Sequence, residues 1–310
     1  MSGGSTGVYH TPVLAGVVAR LAQGARRAVD CTVGGGGHSA LILAGGAELL
    51  AIDRDPEAIA HARELLSGER ARLLTGRFAS PEVMSVIRAF HPDFVLMDLG
   101  VSARQLEEDR RGFSFRPGVP LDMRMNPFEH STPTGADLLN SWSEDDLARL
   151  FRENADERRA RRLARAIVKR RKRRPFALSD DLVGAIREAL GPGTGPRDFA
   201  RIFQALRMAV NREREELEGA LPQLLEAMAP GGMMVAISYH SGEDRIVKRY
   251  FNEWSRSCIC PPGQPVCRCT GIARGVLLTR RPIRPDPEEV AANPRARSAK
   301  LRAFRKSDAR

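Results

Sequence analysis

Three runs in this 310-residue sequence carry residue types and spacings suited to chemistry. In the first, Asp30-Cys31-Thr32-Val33-Gly34-Gly35-Gly36-Gly37-His38, four consecutive glycines follow an apolar run. Glycines let the backbone approach a ligand closely and leave amides free at the start of a following helix. A tight strand-to-helix turn is the simpler alternative. The dinucleotide fingerprint needs a Gly at position 39, where Ser39 stands, which weakens a nicotinamide or flavin reading. Asp53, 23 residues after Asp30, closes the second run and is placed to accept both ribose hydroxyls of a nucleoside cofactor. Nearby Asp55 reads as a helix cap.

The third run is Asp98-Leu99-Gly100-Val101-Ser102, where Asp98 can accept a hydrogen bond from an exocyclic amine or simply cap a helix. Amino-group methyltransferases of DNA bases commonly place two prolines and an aromatic here. This chain does not, and DNA is not the expected partner. Further on, Ser238-Tyr239-His240-Ser241-Gly242-Glu243-Asp244 offers Ser238 and His240 as contacts for a substrate. No G-x-S-x-G elbow surrounds either serine, so a hydrolase is not indicated. His240 also reads as a helix start with acids in the first turn. Four of the five cysteines, Cys258, Cys260, Cys267 and Cys269, form two C-x-C pairs. Four thiolates can hold zinc, yet structural zinc sites mostly use C-x-x-C, so free thiols are the favoured reading and zinc the alternative.

The elements that position these residues follow from periodicity. Apolar runs at residues 28–33, 49–53, 72–74 leading to Phe78, and 94–99 alternate with helical stretches such as 56–66. Such alternation predicts a parallel sheet covered on both faces, with ligands bound beyond the carboxyl ends of the strands. After Gly100 the pattern lapses into a polar loop, charged helices and a Pro/Gly cluster at 191–196. It resumes with a long helix over 199–228 and strands at 233–237, 275–279 and 299–304. The expected organisation is an α/β domain (residues 1–104 and 199–310) interrupted by a helical, RNA-binding insertion (105–198).

Lys and Arg exceed Asp and Glu by 49 − 38 = 11 charges, which favours a polyanionic partner. Eleven basic residues fall within 158–174, with no acid among them and an apolar stripe from Ala160 to Val168 at helical spacing. A solvated charged face is the bland alternative. The stripe is too small for membrane attachment, no apolar run reaches the ~18 residues of a membrane span, and the first residues lack a signal peptide. A cytoplasmic protein is expected.

Taken together, several segments resemble the bacterial family that methylates N4 of a cytidine in 16S ribosomal RNA (RsmH, also called MraW). They include Tyr9-His10-Thr11-Pro12-Val13-Leu14, Gly36-Gly37-His38-Ser39, Ala51-Ile52-Asp53-Arg54-Asp55 and Asp98-Leu99-Gly100-Val101-Ser102. Arg111-Gly112-Phe113-Ser114-Phe115, Leu121-Asp122-Met123-Arg124-Met125, Phe203-Gln204-Ala205-Leu206-Arg207 and Asn293-Pro294-Arg295-Ala296-Arg297-Ser298 continue the set. The resemblance implies a class I (Rossmann-like) methyltransferase domain with an inserted helical domain, and S-adenosylmethionine as donor. It implies that Gly36, Gly37 and His38 contact the donor, Asp53 its ribose and Phe78 its adenine, with Asp98 and Gln105 completing the pocket. The sequence departs from the family at Ala103-Arg104, just before Gln105, and at Gly242. It further implies 16S ribosomal RNA, within the small subunit's decoding region, as substrate. A nicotinamide-dependent oxidoreductase and a non-catalytic ribosome-assembly factor are the rival functions.

Overall fold

A computed structural model describes residues 11–68, 70–258, 260, 264, 266 and 271–308. They form two compact units: the chain up to Gly100 with Arg214–Arg310, and Val101–Glu213. The first unit is built on β1 (Arg27–Asp30), β2 (Glu48–Asp53), β3 (Ala71–Thr75), β4 (Phe94–Asp98), β5 (Met233–Ser238), β6 (Gly275–Leu277) and β7 (Lys300–Lys306). Helix α1 (Ala15–Leu21) precedes β1, and α2 (Gly37–Ala44), α3 (Pro56–Leu65) and α4 (Pro81–Phe90) lie between its first four strands. The second unit holds α5 (Ala103–Glu107), α6 (Gly135–Ser141), α7 (Glu144–Ala155), α8 (Ala160–Arg171), α9 (Ser179–Leu190) and α10 (Pro196–Asn211). Helices α11 (Glu213–Ala227), α12 (Ser241–Trp254) and α13 (Pro287–Ala292) follow.

The strands form one sheet in the order β3-β2-β1-β4-β5-β7-β6. Period-two alternation sends their side chains to opposite faces. Val29, Leu50, Ile52, Val95, Met97, Met234 and Ala236 pack with α4, α11 and α12. Ala28, Leu49, Ala51, Phe94, Leu96, Val235 and Ile237 pack with α1, α2 and α3. A strand buried on both faces reads as a continuous apolar run, which is why the central strands were legible. Leu96 and Met97 are wholly buried on opposite faces, so truncating either to Ala costs about 2–5 kcal/mol. Side-chain caps fix the helix starts: Ser80 accepts from the Val83 amide at 3.3 Å, and Asp55 from that of Glu57 at 3.0 Å, as expected of Asp55.

The parallel sheet expected from the alternation is present in β1 to β5, to which β7 adds an antiparallel strand between β5 and β6. The connection from β6 to β7 carries the six-residue α13 and a 3-10 turn at Pro294–Ser298, and antiparallel neighbours need no covering crossover helix. The expected helix over 199–228 is two helices, broken at Arg212, whose φ of 52° is left-handed. The stripe of α10 (Phe199, Ile202, Phe203, Leu206, Val210) belongs to the core of the helical unit, whereas that of α11 (Leu217, Leu221, Leu224, Leu225) belongs to the sheet. Consequently the helical unit spans Val101–Glu213 rather than 105–198.

Within that unit the loop before α6 is pinned by buried polar groups. Asn211 accepts from the Met125 amide and donates to the Met123 carbonyl, and Arg111 donates to the Met125 carbonyl at 2.6 Å. A Cβ on Gly112, whose φ is 78°, would meet the Pro120 carbonyl at 2.5 Å. Among the described residues no helix is long and apolar enough to cross a membrane.

Candidate cofactor and transfer site at the strand ends

Parallel strands deliver their last residues to one edge of a sheet, and here those of β1, β2 and β4 are Asp30, Asp53 and Asp98. Strand order reverses between β1 and β4, the position where ligands bind in open α/β sheets. The Asp98 amide donates to Thr32 Oγ1 at 2.7 Å, which ties the two strand ends together. Asp30 is 1% exposed and accepts from Ser39 Oγ at 2.7 Å and from the Thr32 amide, and burial raises its pKa.

The glycine run turns the chain from β1 into α2. Gly36 caps the helix with φ 80°, and a Cβ on Gly37 would lie 3.0 Å from Pro12 Cδ, so turn geometry and packing both demand glycine. The first-turn amides of Gly37 and His38 take no acceptor among the described residues. His38 is buried. Its Nε2 stands 2.9 Å from the Val13 carbonyl and must carry the proton, leaving Nδ1 toward Asp98 Oδ2 at 3.5 Å.

Asp53 is half-buried and oriented by two backbone donors, the Gly34 amide on Oδ2 and the Asp55 amide on Oδ1, each at 2.9 Å. Burial pushes it up to about 6. Asp98, its side chain 24% exposed, accepts from the Tyr239 hydroxyl on Oδ1 at 2.9 Å. Burial raises it to about 6 as well, against the lowering pull of His38 and the Tyr239 hydrogen bond. Burial beside Asp98 pushes the Tyr239 hydroxyl far above its ordinary value.

Two residues expected to meet the substrate have contacts within the fold. Ser238 is 2% exposed and directs its hydroxyl to the Lys300 carbonyl of β7 at 3.4 Å. His240 is the N-cap of α12: its Nδ1 accepts from the amides of Gly242 and Glu243, and its Nε2 faces Glu243 Oε1 at 3.0 Å. Glu243 is buried and takes the Tyr239 amide at 3.0 Å, so this set positions Tyr239. Gln105 lies in the helical unit, where its Oε1 accepts from the Ser102 amide in a capping box. Phe78 is 7% exposed and packs with Ile52 and Met84. Of the cysteines, Cys267 and Cys269 lie outside the described residues, so the four-thiolate site does too. Sequence reasoning missed Thr32, Asp30 and Tyr239. The identity of Tyr239 was in plain view, but its direction depends on where α12 sits.

The strand order with its antiparallel seventh strand, the glycine turn after β1 and the acid closing β2 define a class I, S-adenosylmethionine-dependent methyltransferase. A family model described as the MraW methylase family matches residues 7–307. The ribosomal RNA small subunit methyltransferase H of Gemmatimonas aurantiaca is 50% identical over 306 residues, covering 97% of this chain and 96% of that protein. The protein of the same name from Heliobacterium modesticaldum is 45% identical over 310 residues, covering 96% and 98%. The chain belongs to the MraW methylase family. Methyl transfer therefore displaces the nicotinamide alternative.

The residues fit a sulfonium donor. Two carboxyls that burial raises to about 6 gain from a cationic ligand beside them, which favours their ionised forms. The open amides of Gly37 and His38 suit the donor's carboxylate.

Proposed function

We propose that this protein transfers a methyl group from S-adenosylmethionine to N4 of a cytidine in 16S ribosomal RNA of the small subunit, in its decoding region. Family membership and the names of the relatives support a ribosomal RNA substrate. The observation that carries the chemistry is Asp98, a partly exposed carboxyl held at the end of β4 by the Tyr239 hydroxyl.

The N4 amine of cytosine is a weak nucleophile, because its lone pair is delocalised into the ring. The bound donor supplies an electrophilic methyl group on a positive sulfur. Asp98 orients the amine by accepting its N–H, and positioning supplies most of the acceleration. A carboxyl with a pKa of about 6 is ionised at neutral pH and basic enough to take the proton that the methylated amine sheds. The target base leaves its stack to reach the strand ends. Asp53 holds the ribose, the amides of Gly37 and His38 the carboxylate, and Phe78 the adenine through the small part of its ring left exposed. The exposed cations of α8 carry the RNA backbone.

Tritiated methyl transfer to small subunits lacking the native modification, followed by nucleoside mass spectrometry, tests this reading. N4-methylcytidine is the expected product, and label in another nucleoside overturns the assignment. Asp98→Ala should depress transfer about a hundredfold at saturating donor, the scale of a misplacement of ~1 Å, with Asp98→Asn retaining more. Rates fully restored by saturating donor would make Asp98 a cofactor ligand alone.

A further inference from the structure

The helical unit contains a solvent-open pocket of about 410 Å³ between the end of α7 and the start of α8. Its lining is Arg152 from α7, Arg158 and Arg159 from the connecting loop, and Ala160, Arg161 and Arg162 from α8. Arg159 is committed to the fold, donating to the Leu190 carbonyl at 2.8 Å and facing Glu157 at 3.5 Å. Arg152, Arg158, Arg161 and Arg162 are exposed, and none has a side-chain ion pair or hydrogen bond among the described residues. Among the described residues no acid lines the pocket. The adjacent Glu157 is 4% exposed and held by Arg201 at 2.6 Å; the exposed Glu153 and Asp156 of the same stretch are not part of the lining, in which positive charge predominates.

A helix N-terminus carries partial positive charge. Helix α8 has no acid in its first turn, and the buried Glu157 at this end accepts the Arg159 amide at 2.8 Å and faces Arg159 and Arg201. Four guanidinium groups beside this end repel one another until an anion enters. Guanidinium forks match phosphate oxygens with paired hydrogen bonds. The volume lies within the roughly 300–1,000 Å³ range of pockets for small-molecule-sized groups, which admits a phosphodiester with part of its sugar. Beyond the pocket, Arg165 and Lys169, which face Glu144 and Glu188 across exposed ion pairs, and exposed Lys172, Arg173 and Arg174 continue the charge along α8 and past its end, roughly 18 Å from Arg162 at helical rise. Such continuity suits successive phosphates of a strand better than one free ion.

We propose that this pocket seats one phosphodiester of the RNA backbone, gripped by Arg152, Arg158, Arg161 and Arg162 and fixing the strand's register along α8. It rests on the RNA substrate proposed above. The test uses the full-length double variant Arg158→Gln/Arg162→Gln, checked for folding by circular dichroism, with a single-stranded RNA oligonucleotide titrated across a salt series. The slope of log affinity against log salt should fall by up to ~0.7 for each phosphate that is no longer neutralised, with donor affinity unchanged. Inorganic phosphate should raise the melting temperature of the parent protein above that in chloride at equal ionic strength, and raise it less in the variant. A variant with the parental slope, where Arg173→Ser/Arg174→Ser lowers it, overturns the pocket while leaving the RNA substrate standing. Loss of the phosphate response with an unchanged RNA slope makes this a small-anion site and also overturns the proposal. A parent protein without salt-dependent RNA binding defeats the substrate reading itself.

Discussion

Tyr239 and Asp98 stand 141 positions apart in the chain, yet the Tyr239 hydroxyl donates to Asp98 Oδ1 at 2.9 Å. The bond links the residue after β5 to the last residue of β4, across the edge where the donor and the amine must meet. It favours the ionised carboxylate, opposing the burial that lifts Asp98 to about 6.

Tyr239→Phe removes that bond while keeping the ring. Hydrogen bonds to charged groups are worth about 1.5–3 kcal/mol, and one pKa unit corresponds to about 1.4 kcal/mol. The Asp98 pKa should therefore rise by roughly one unit or more. The acid limb of the rate–pH profile at saturating donor should shift upward by that amount, with activity recovered at higher pH. A merely structural Tyr239 would lower the rate equally at every pH.

Donor binding should depend on pH. A cation beside Asp53 and Asp98 favours their ionised forms, so binding lowers both pKa values from about 6 and releases protons. Affinity should increase from about pH 5 to pH 7, and calorimetry in buffers of different ionisation enthalpy should register the released protons. The stability sign runs the other way. A carboxyl raised above its unfolded value of about 3.9 contributes stability that is complete below that value and lost as pH rises through its folded pKa. Relative to Asp98→Asn, the ligand-free protein should lose stability between about pH 4 and pH 6. Donor affinity that does not vary over this window removes these carboxyls from the donor's surroundings.

Asp53→Ala should weaken donor binding at least about tenfold as its charge-assisted bonds disappear. Because Asp53 also accepts the amides of Gly34 and Asp55, Ala should in addition lower the melting temperature. Asp53→Asn keeps an acceptor and should recover part of the stability. Unchanged calorimetric affinity in a folded variant contradicts the ribose role.

The arginines of α8 and of the turn that follows it should separate into two groups. Arg171 donates to the carbonyls of Leu139 and Trp142, so Arg171→Ser should cost about 1–3 kcal/mol of stability. Arg173→Ser/Arg174→Ser should leave the melting temperature alone and flatten the salt dependence of RNA binding, by ~0.7 per phosphate released. An equal effect of both changes on stability would erase the distinction.

The sequence by itself determined the alternation of strands and helices in the first hundred residues, the acids that close β2 and β4, the cap at Asp55 and the basic character of α8. Each of these is a local property: apolar runs, residue spacing of 3.6 or 2, and capping types act over a few positions. Tertiary structure decided what depends on partners distant in the chain. Ser238 became a buried neighbour of β7, and His240 became a cap that places Tyr239. Apolar periodicity runs through residues 199–228 without interruption, and only the existence of two separate cores shows why Arg212 must break it. A similar limit governs Asp98. Its type marks it as an acceptor, but its pKa near 6 arises from burial, from His38 on α2 and from Tyr239 beyond β5, which the sheet brings to one edge.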